Sequence, residues 1–371
     1  MPYNQFASSV GGGMVLHDAQ NLFAIVADSF SYSMISIFFA PANVKVLSMI
    51  SRRLLRIKVL QIVYAFSKKD DDSLTASEKE LFFSIDKDYD LYHLIFLLLI
   101  DLGRYAEDRI DLGRNKRFPS QEDLNPNLRF IQSRVLAQLS ENQSLQSYLD
   151  RQKLSWVNEP ELIKKLHGEL IESDYYLKFM QMADPGYRDE LEIFIRFLAE
   201  TLAESDDFFA ILEEKSVYWN DDVEFVISMV IKTLERFKKD RAEGGKLMTL
   251  FKDEEDRLFA RDLYRKMLIN RKEIHELIHQ FTTNWEFERI AYMDVLIISL
   301  ALTEILYFPG IPVKVSMNEY IELAKFYSTD KSSIFINGVL DKIVSHLQSE
   351  KKIRKTGRGL MGEISLEKGK D

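Results

Sequence analysis

From Met49 onward, apolar residues recur at helical spacing almost without interruption, and prolines fall only between the segments so defined or in their first two positions. Pro119, Pro126, Pro160, Pro185, Pro309 and Pro312 mark connections. The pattern predicts helices over roughly 50–68, 90–112, 125–149, 160–182, 187–204, 219–239, 254–269, 271–283, 290–307, 316–327 and 333–348. Neither a βαβ alternation nor a run of short alternating strands is present, and no repeat at a solenoid period emerges, so the expected class is all-α. The run Met293 to Leu306 is apolar on nearly every side, with Asp294 and Glu304 as its charged exceptions. That makes it the expected central helix.

The chain has 371 residues, enough for two ordinary domains or one domain with a large insertion. It has no cysteine, which excludes disulfides, thiolate metal sites and a cysteine nucleophile, and fits a reducing, cytoplasmic setting. A formal net charge of −9 argues against a protein that coats nucleic acid over its whole surface, so a nucleic-acid site must be a local patch. Residues 1–48 differ from the rest. Gly11-Gly12-Gly13 and short apolar pieces give no sustained period, none is long enough for a membrane span, and the first cation is Lys45. We expect 1–48 to be an unstructured or mis-assigned extension, dispensable for stability, with Met49 as the natural start.

Two segments carry local positive features. Between Asp28 and Asp70 there is no acidic residue, while Lys45, Arg52, Arg53, Arg56, Lys58, Lys68 and Lys69 all fall there. On a helix, Leu55, Val59, Ile62 and Phe66 form one apolar face and Ile57, Leu60 and Tyr64 another, so the body is wedged between neighbours. Arg52, Arg53 and Arg56 share a sector at its start and are expected to project. Cations at a helix amino terminus oppose the macrodipole by a few tenths of a kcal/mol unless an anion offsets them. Two readings fit: a phosphate contact, or arginines that merely solvate a helix end. The second segment runs from Lys325 to Phe335 and combines Lys325, Tyr327 and Lys331 with hydroxyls at a helix start. Ser332 or Ser333 is placed to cap the last helix, and aromatics beside lysines suit single-stranded RNA. Phe335 fits the core equally well. A glycine inside a helix costs about 1 kcal/mol against alanine, so Asn337-Gly338 predicts close helix packing. Asn337 then reads as a buried cap or as an RNA contact.

One motif suggests an enzyme. His275-Glu276-Leu277-Ile278-His279 fits H-E-x-x-H, two imidazoles one turn apart with a glutamate base, and Glu304 would be the third ligand. Against it, Ile274, Leu277, Ile278 and Phe281 already make an ordinary amphipathic helix, and no sheet edge is available for substrate. No phosphate-binding glycine loop exists, because Gly244-Gly245 lacks the rest of the pattern. The expectation is no enzyme, no metal and no cofactor; a zinc hydrolase is the minor alternative, a helical interaction scaffold the other.

The order of motifs in the last third resembles the NusB family. Asn284-Trp285 and Glu288-Arg289-Ile290-Ala291 precede the central helix. Pro309-Gly310-Ile311-Pro312-Val313-Lys314-Val315, Asn318-Glu319-Tyr320-Ile321-Glu322-Leu323-Ala324-Lys325 and Phe335-Ile336-Asn337-Gly338-Val339-Leu340-Asp341 follow. Near the start, Arg56-Ile57-Lys58-Val59-Leu60-Gln61-Ile62-Val63-Tyr64 is similar to the family's arginine-rich first helix. The resemblance implies a NusB-like helical bundle with an inserted helical subdomain. The expected division is 1–48 extension, 49–70 first core helix, 71–250 insertion, 251–348 core and 349–371 flexible basic tail. It implies transcription antitermination through boxA-like single-stranded RNA, with a NusE-type ribosomal protein and the transcription elongation complex as partners. The RNA residues it nominates, together with the pattern, are Arg52, Arg53, Arg56, Lys58, Tyr64, Lys325, Tyr327, Lys331, Ser332, Phe335 and Asn337. Ile334 stands where the family often has a basic or polar residue. The same fold occurs in rRNA cytosine methyltransferases, which the lack of cysteine excludes here.

Overall fold

A computed structural model of the chain describes residues 48–68, 73–239, 245–282 and 291–361. Residues 1–47 of the expected extension, the motif from Asn284 to Ile290 and residues 362–371 of the tail lie outside the described residues. The helices are α1 (Arg52–Lys68), α2 (Leu74–Arg114), α3 (Gln121–Leu124), α4 (Arg134–Ser140), α5 (Gln143–Gln152), α6 (Pro160–Glu172), α7 (Asp174–Gln181) and α8 (Tyr187–Arg196). They continue with α9 (Asp206–Lys215), α10 (Val223–Leu234), α11 (Glu254–Ile269), α12 (Arg271–Phe281), α13 (Tyr292–Tyr307), α14 (Val313–Tyr327) and α15 (Ser332–Ser349). The only extended pairing among the described residues is a single parallel bridge, Ser48 to Thr249. The all-α expectation holds, and no described helix is long and apolar enough to cross a membrane.

The chain forms two compact units. One comprises Lys87–Met248; the other comprises the flanking segments, up to Asp86 and from Thr249. The flanking unit is built on α13, buried without a break from Asp294 to Ile305. Such a helix must satisfy its own polar side chains: Ser299 and Thr303 donate back to the carbonyls of Val295 and Ser299, each at 2.7 Å. Around it pack α1, α11, α12, α14 and α15. Met49 and Ile50, both 1% exposed, donate backbone N–H groups to the carbonyls of Thr249 and Leu250 at 2.8 and 3.2 Å.

Two expectations reverse, one on a glycine and one on the tail. A Cβ on Gly338 would meet nothing within 4 Å, so this glycine marks an open face and not close packing. The segment after 350 was expected to be flexible, yet as far as Met361 it is docked. Ile353 packs on Ile305, Val313 and Val344. Thr356 N–H and Lys355 Nζ donate to the carbonyls of Pro309 and Phe308, both at 3.0 Å. At Gly359 a Cβ would stand 1.9 Å from the Pro309 carbonyl oxygen, too close for any side chain. Gly359→Ala is therefore expected to release residues 351–361, seen as faster amide exchange there, with a stability loss of about 1–3 kcal/mol. Unchanged exchange in that segment would contradict this docking.

The Lys87–Met248 unit has its own aromatic core, which includes Tyr175, Phe208 and Trp219 from the charged, aromatic middle of the sequence. Trp156 Nε1 donates to the Leu94 carbonyl at 2.8 Å and Trp219 Nε1 to that of Lys87 at 2.7 Å, so each indole is satisfied where it is buried. The expected single helix over 160–182 breaks at Ser173, whose side chain caps α7 by accepting from the Tyr176 N–H at 3.3 Å. The 125–149 segment likewise divides into α4 and α5, and α2 starts sixteen residues before the expected 90. Its first turns carry charge on several faces, which hid the period.

Candidate nucleic-acid interface

The basic start of α1 lies against carboxylates. Ser51 Oγ accepts from the Leu54 N–H at 3.3 Å and opens the helix. Arg52 Nε donates to Asp256 Oδ1 at 2.8 Å. Arg53 makes a two-pronged pair with Glu319, both bonds at 2.9 Å. Arg56 makes another with Glu304, at 2.8 and 2.7 Å. Thus the anions that offset the helix dipole come from α11, α13 and α14.

Arg56 does not project, contrary to the expectation from helical phase. It is 3% exposed, with its guanidinium carbon 5.2 Å from the Phe259 ring centroid. Burial alone would lower its pKa, but the hydrogen bonds and charge of Glu304 outweigh that and raise it. Glu304, itself 0% exposed, also accepts from Ser316 Oγ at 2.7 Å and Tyr320 OH at 3.2 Å. Every lone pair direction on that carboxylate is accounted for. Lys58, 1% exposed, is likewise interior, because α1 is buried on every side from Leu54 to Leu60. Arg56 and Lys58 are structural groups beneath the surface.

Arg52 and Arg53 remain partly accessible, their side chains 41% and 26% exposed. The Arg53 pKa is raised, first by its hydrogen bond to Glu319. Burial pushes the Glu319 carboxyl up, but the hydrogen bond and charge of Arg53 and the charge of Arg56 outweigh it and hold it below its ordinary 4.5. A depressed carboxyl contributes stability above its unfolded value, near 4.5, that is lost as pH falls through the lower folded value.

At the other end of α1 a second cluster forms. Tyr64 lies 6.1 Å from Tyr292, ring centroid to centroid, and Lys68 Nζ sits 5.5 and 4.9 Å from the two centroids. Two residues beyond Tyr292, buried Asp294 accepts from Ser328 Oγ and from Ser332 Oγ, the latter at 3.0 Å. This ties the connection between α14 and α15 to the start of α13, and so brings Tyr64 and Lys68 to the same end as Lys325, Tyr327 and Lys331. Lys325 and Lys331 are exposed, and Tyr327 and Phe335 are half-buried. Lys325 Nζ donates to Glu322 at 2.6 Å. Ser332 is buried and turned to Asp294, so neither it nor Ser333 caps α15; Lys331 occupies that position without a side-chain cap. Asn337 is exposed, which removes its buried-cap reading. Lys68 was counted in the basic segment but not nominated for the site, and Tyr292 was not singled out from the sequence. Their signal was an aromatic at the head of the apolar run and a cation one turn beyond Tyr64.

The H-E-x-x-H reading fails on geometry. Its third ligand, Glu304, is consumed by Arg56, Ser316 and Tyr320, and no group of three or more metal-capable side chains occurs among the described residues. Ile274 and Ile278 are buried, and burial lowers the pKa of His275 between them. The motif is an amphipathic helix.

The described residues form a helical bundle around one buried helix, with basic and aromatic groups along α1. The NusB family profile matches residues 224–345. The matched span begins inside α10, upstream of the boundary at 251 that the motifs suggest. The transcription antitermination protein NusB of Salinibacter ruber (strain DSM 13855 / M31) is 36% identical over 153 residues, which are 41% of this chain and 89% of that protein. Its counterpart in Chloroherpeton thalassium is 41% identical over 103 residues, 28% of this chain and 49% of that protein. The NusB protein of Natranaerobius thermophilus is 47% identical over 78 residues, 21% of this chain and 56% of that protein. No solved structure matches. The chain belongs to the NusB family of transcription antitermination proteins, and so to a class of factors that are not enzymes.

Proposed function

We propose that this protein supports antitermination by binding boxA-like single-stranded RNA together with a NusE-type ribosomal protein, as part of the transcription elongation complex. The observation that carries this reading is the Tyr64, Lys68 and Tyr292 cluster at the start of α13, where Asp294 also anchors the α14–α15 connection through Ser328 and Ser332. Ring faces for unpaired bases stand beside cations for phosphates, which is what single-stranded RNA requires. Arg52 and Arg53 extend the basic line to the other end of α1, where an incoming phosphate competes with Asp256 and Glu319. The 87–248 unit is, in this reading, the greater part of a helical insertion into a NusB core.

The test is a fluorescence polarisation titration of the full chain with a boxA-like RNA and a scrambled RNA, with and without purified NusE-type protein. Tighter binding to the boxA-like RNA, strengthened by the partner, is the expected outcome. Equal binding to both, or none, refutes it.

A further inference from the structure

The Lys87–Met248 unit is acidic over much of its length: residues 200–224 carry nine carboxylates against a single lysine. One turn departs from this. From Gly113 to Phe118 the chain reads Gly-Arg-Asn-Lys-Arg-Phe, three cations with no carboxylate among them. Phe118 is 83% exposed, the most exposed large apolar residue described, and the Arg117 guanidinium carbon lies 5.5 Å from its ring centroid.

This turn is held in shape. Asn115 Nδ2 donates to the Asp111 carbonyl at 2.9 Å, closing the end of α2. Lys116 Nζ reaches both oxygens of Asp123 at 2.8 and 3.0 Å, and Asp123 shares a capping box with Ser120. A Cβ on Gly113 would stand 2.7 Å from Asp123 Oδ1, so glycine lets the returning chain close. Lys116 is therefore spent on the fold. Arg114 keeps a 3.7 Å contact to Asp111 with its side chain 44% exposed, and Arg117 has no carboxylate partner among the described residues. A pinned turn that holds an apolar ring and a stacked guanidinium in water loses little entropy on binding.

We propose that this turn is a second contact for single-stranded RNA, with one unpaired base stacked on Phe118 and phosphates held by Arg114 and Arg117. The inference rests on the reading that the chain binds RNA. RNA held by the α1 surface is present at raised effective concentration for a further site that its single-stranded flank can reach, so a weak contact here adds to overall affinity. Base stacking uses an open ring face, and the cationic turn is where an otherwise acidic unit does not repel a phosphate backbone.

Full-length protein is titrated with a short boxA-like RNA and with the same element carrying single-stranded flanks. Wild type should bind the flanked RNA more tightly. Phe118→Ala should reduce that advantage by roughly 5- to 100-fold and leave short-RNA affinity unchanged. Arg114→Ala with Arg117→Ala should remove the added salt dependence. Phe118→Trp, at an exposed position, should show emission quenching with polyuridylate, read as the difference from wild type. Phe118→Ala binding the flanked RNA as wild type does, with no quenching in Phe118→Trp, overturns the proposal and leaves Leu112, Phe118 and Leu124, all exposed, as a protein-docking surface. Wild type that binds neither RNA overturns the reading of the α1 surface alone, whereas quenching by polyuridylate would still support this turn.

Discussion

Glu304→Leu is expected to destabilise the protein by about 3–5 kcal/mol, a fall in melting temperature on the order of 10 °C. The substitution removes the hydrogen-bonded counter-charge of a guanidinium that is 3% exposed and leaves it the longer ion pair to Glu319, 3.7 Å from Nη1. It also strips Ser316 and Tyr320 of a shared acceptor inside the core. A buried donor without a partner costs about 1–3 kcal/mol of desolvation. Glu304→Gln should be milder, because an amide oxygen still accepts while the charge is lost. The informative variant is the double one. Replacing a buried ion pair by apolar groups of similar volume is often neutral or better, so Arg56→Met with Glu304→Leu should recover much of what Glu304→Leu loses. Differential scanning calorimetry of wild type, Arg56→Met, Glu304→Leu and the double variant gives the coupling. A Glu304→Leu protein that melts with the wild type would show that Arg56 is not held by this carboxylate.

That pair also shows where the sequence stopped being informative. Asp294 and Glu304 stood out as carboxylates in an otherwise apolar helix, and a buried carboxylate needs donors. Helical phase grouped Arg52, Arg53 and Arg56 on one sector, and nothing local could say that Glu304, 248 positions away, lies beneath the third. Periodicity reports the face of a residue, and its partner comes from packing. The glycines fail for a related reason. Gly338 and Gly359 each lack a side chain, but one faces open space and the other a carbonyl oxygen, and only the neighbouring chain decides which. By contrast α13 was legible because an all-round apolar run has one stable environment. The motifs from Pro309 to Asp341 were legible because their order and spacing are specific. The Lys325–Lys331 connection was found through its composition. Its junction with Tyr64 and Lys68 depended on Asp294 bonding to Ser328 and Ser332, which no local pattern reveals.

At the proposed RNA surface the two ends of α1 are expected to divide the work, and the variants must avoid Arg56, whose loss would report on folding. Arg52→Ala with Arg53→Ala removes two partly exposed cations that already have carboxylate neighbours, so the fold should tolerate the change at a cost of about 1 kcal/mol per pair or less. Binding should weaken by a similar factor for boxA-like and scrambled RNA, and the log–log salt slope should flatten by roughly one to two units. Tyr327→Ala acts at the other end. Stacking contributes about 1–3 kcal/mol per base, so affinity for the boxA-like RNA should fall roughly 5- to 100-fold and that for the scrambled RNA much less, with the slope nearly unchanged. Lys331→Ala, beside it, should lower the slope without altering discrimination. The measurement is a set of titrations across salt for each protein with both RNAs. If the arginine and tyrosine variants both keep wild-type affinity and slope, RNA meets this protein elsewhere, and the carboxylates paired with Arg52 and Arg53 are then their permanent partners.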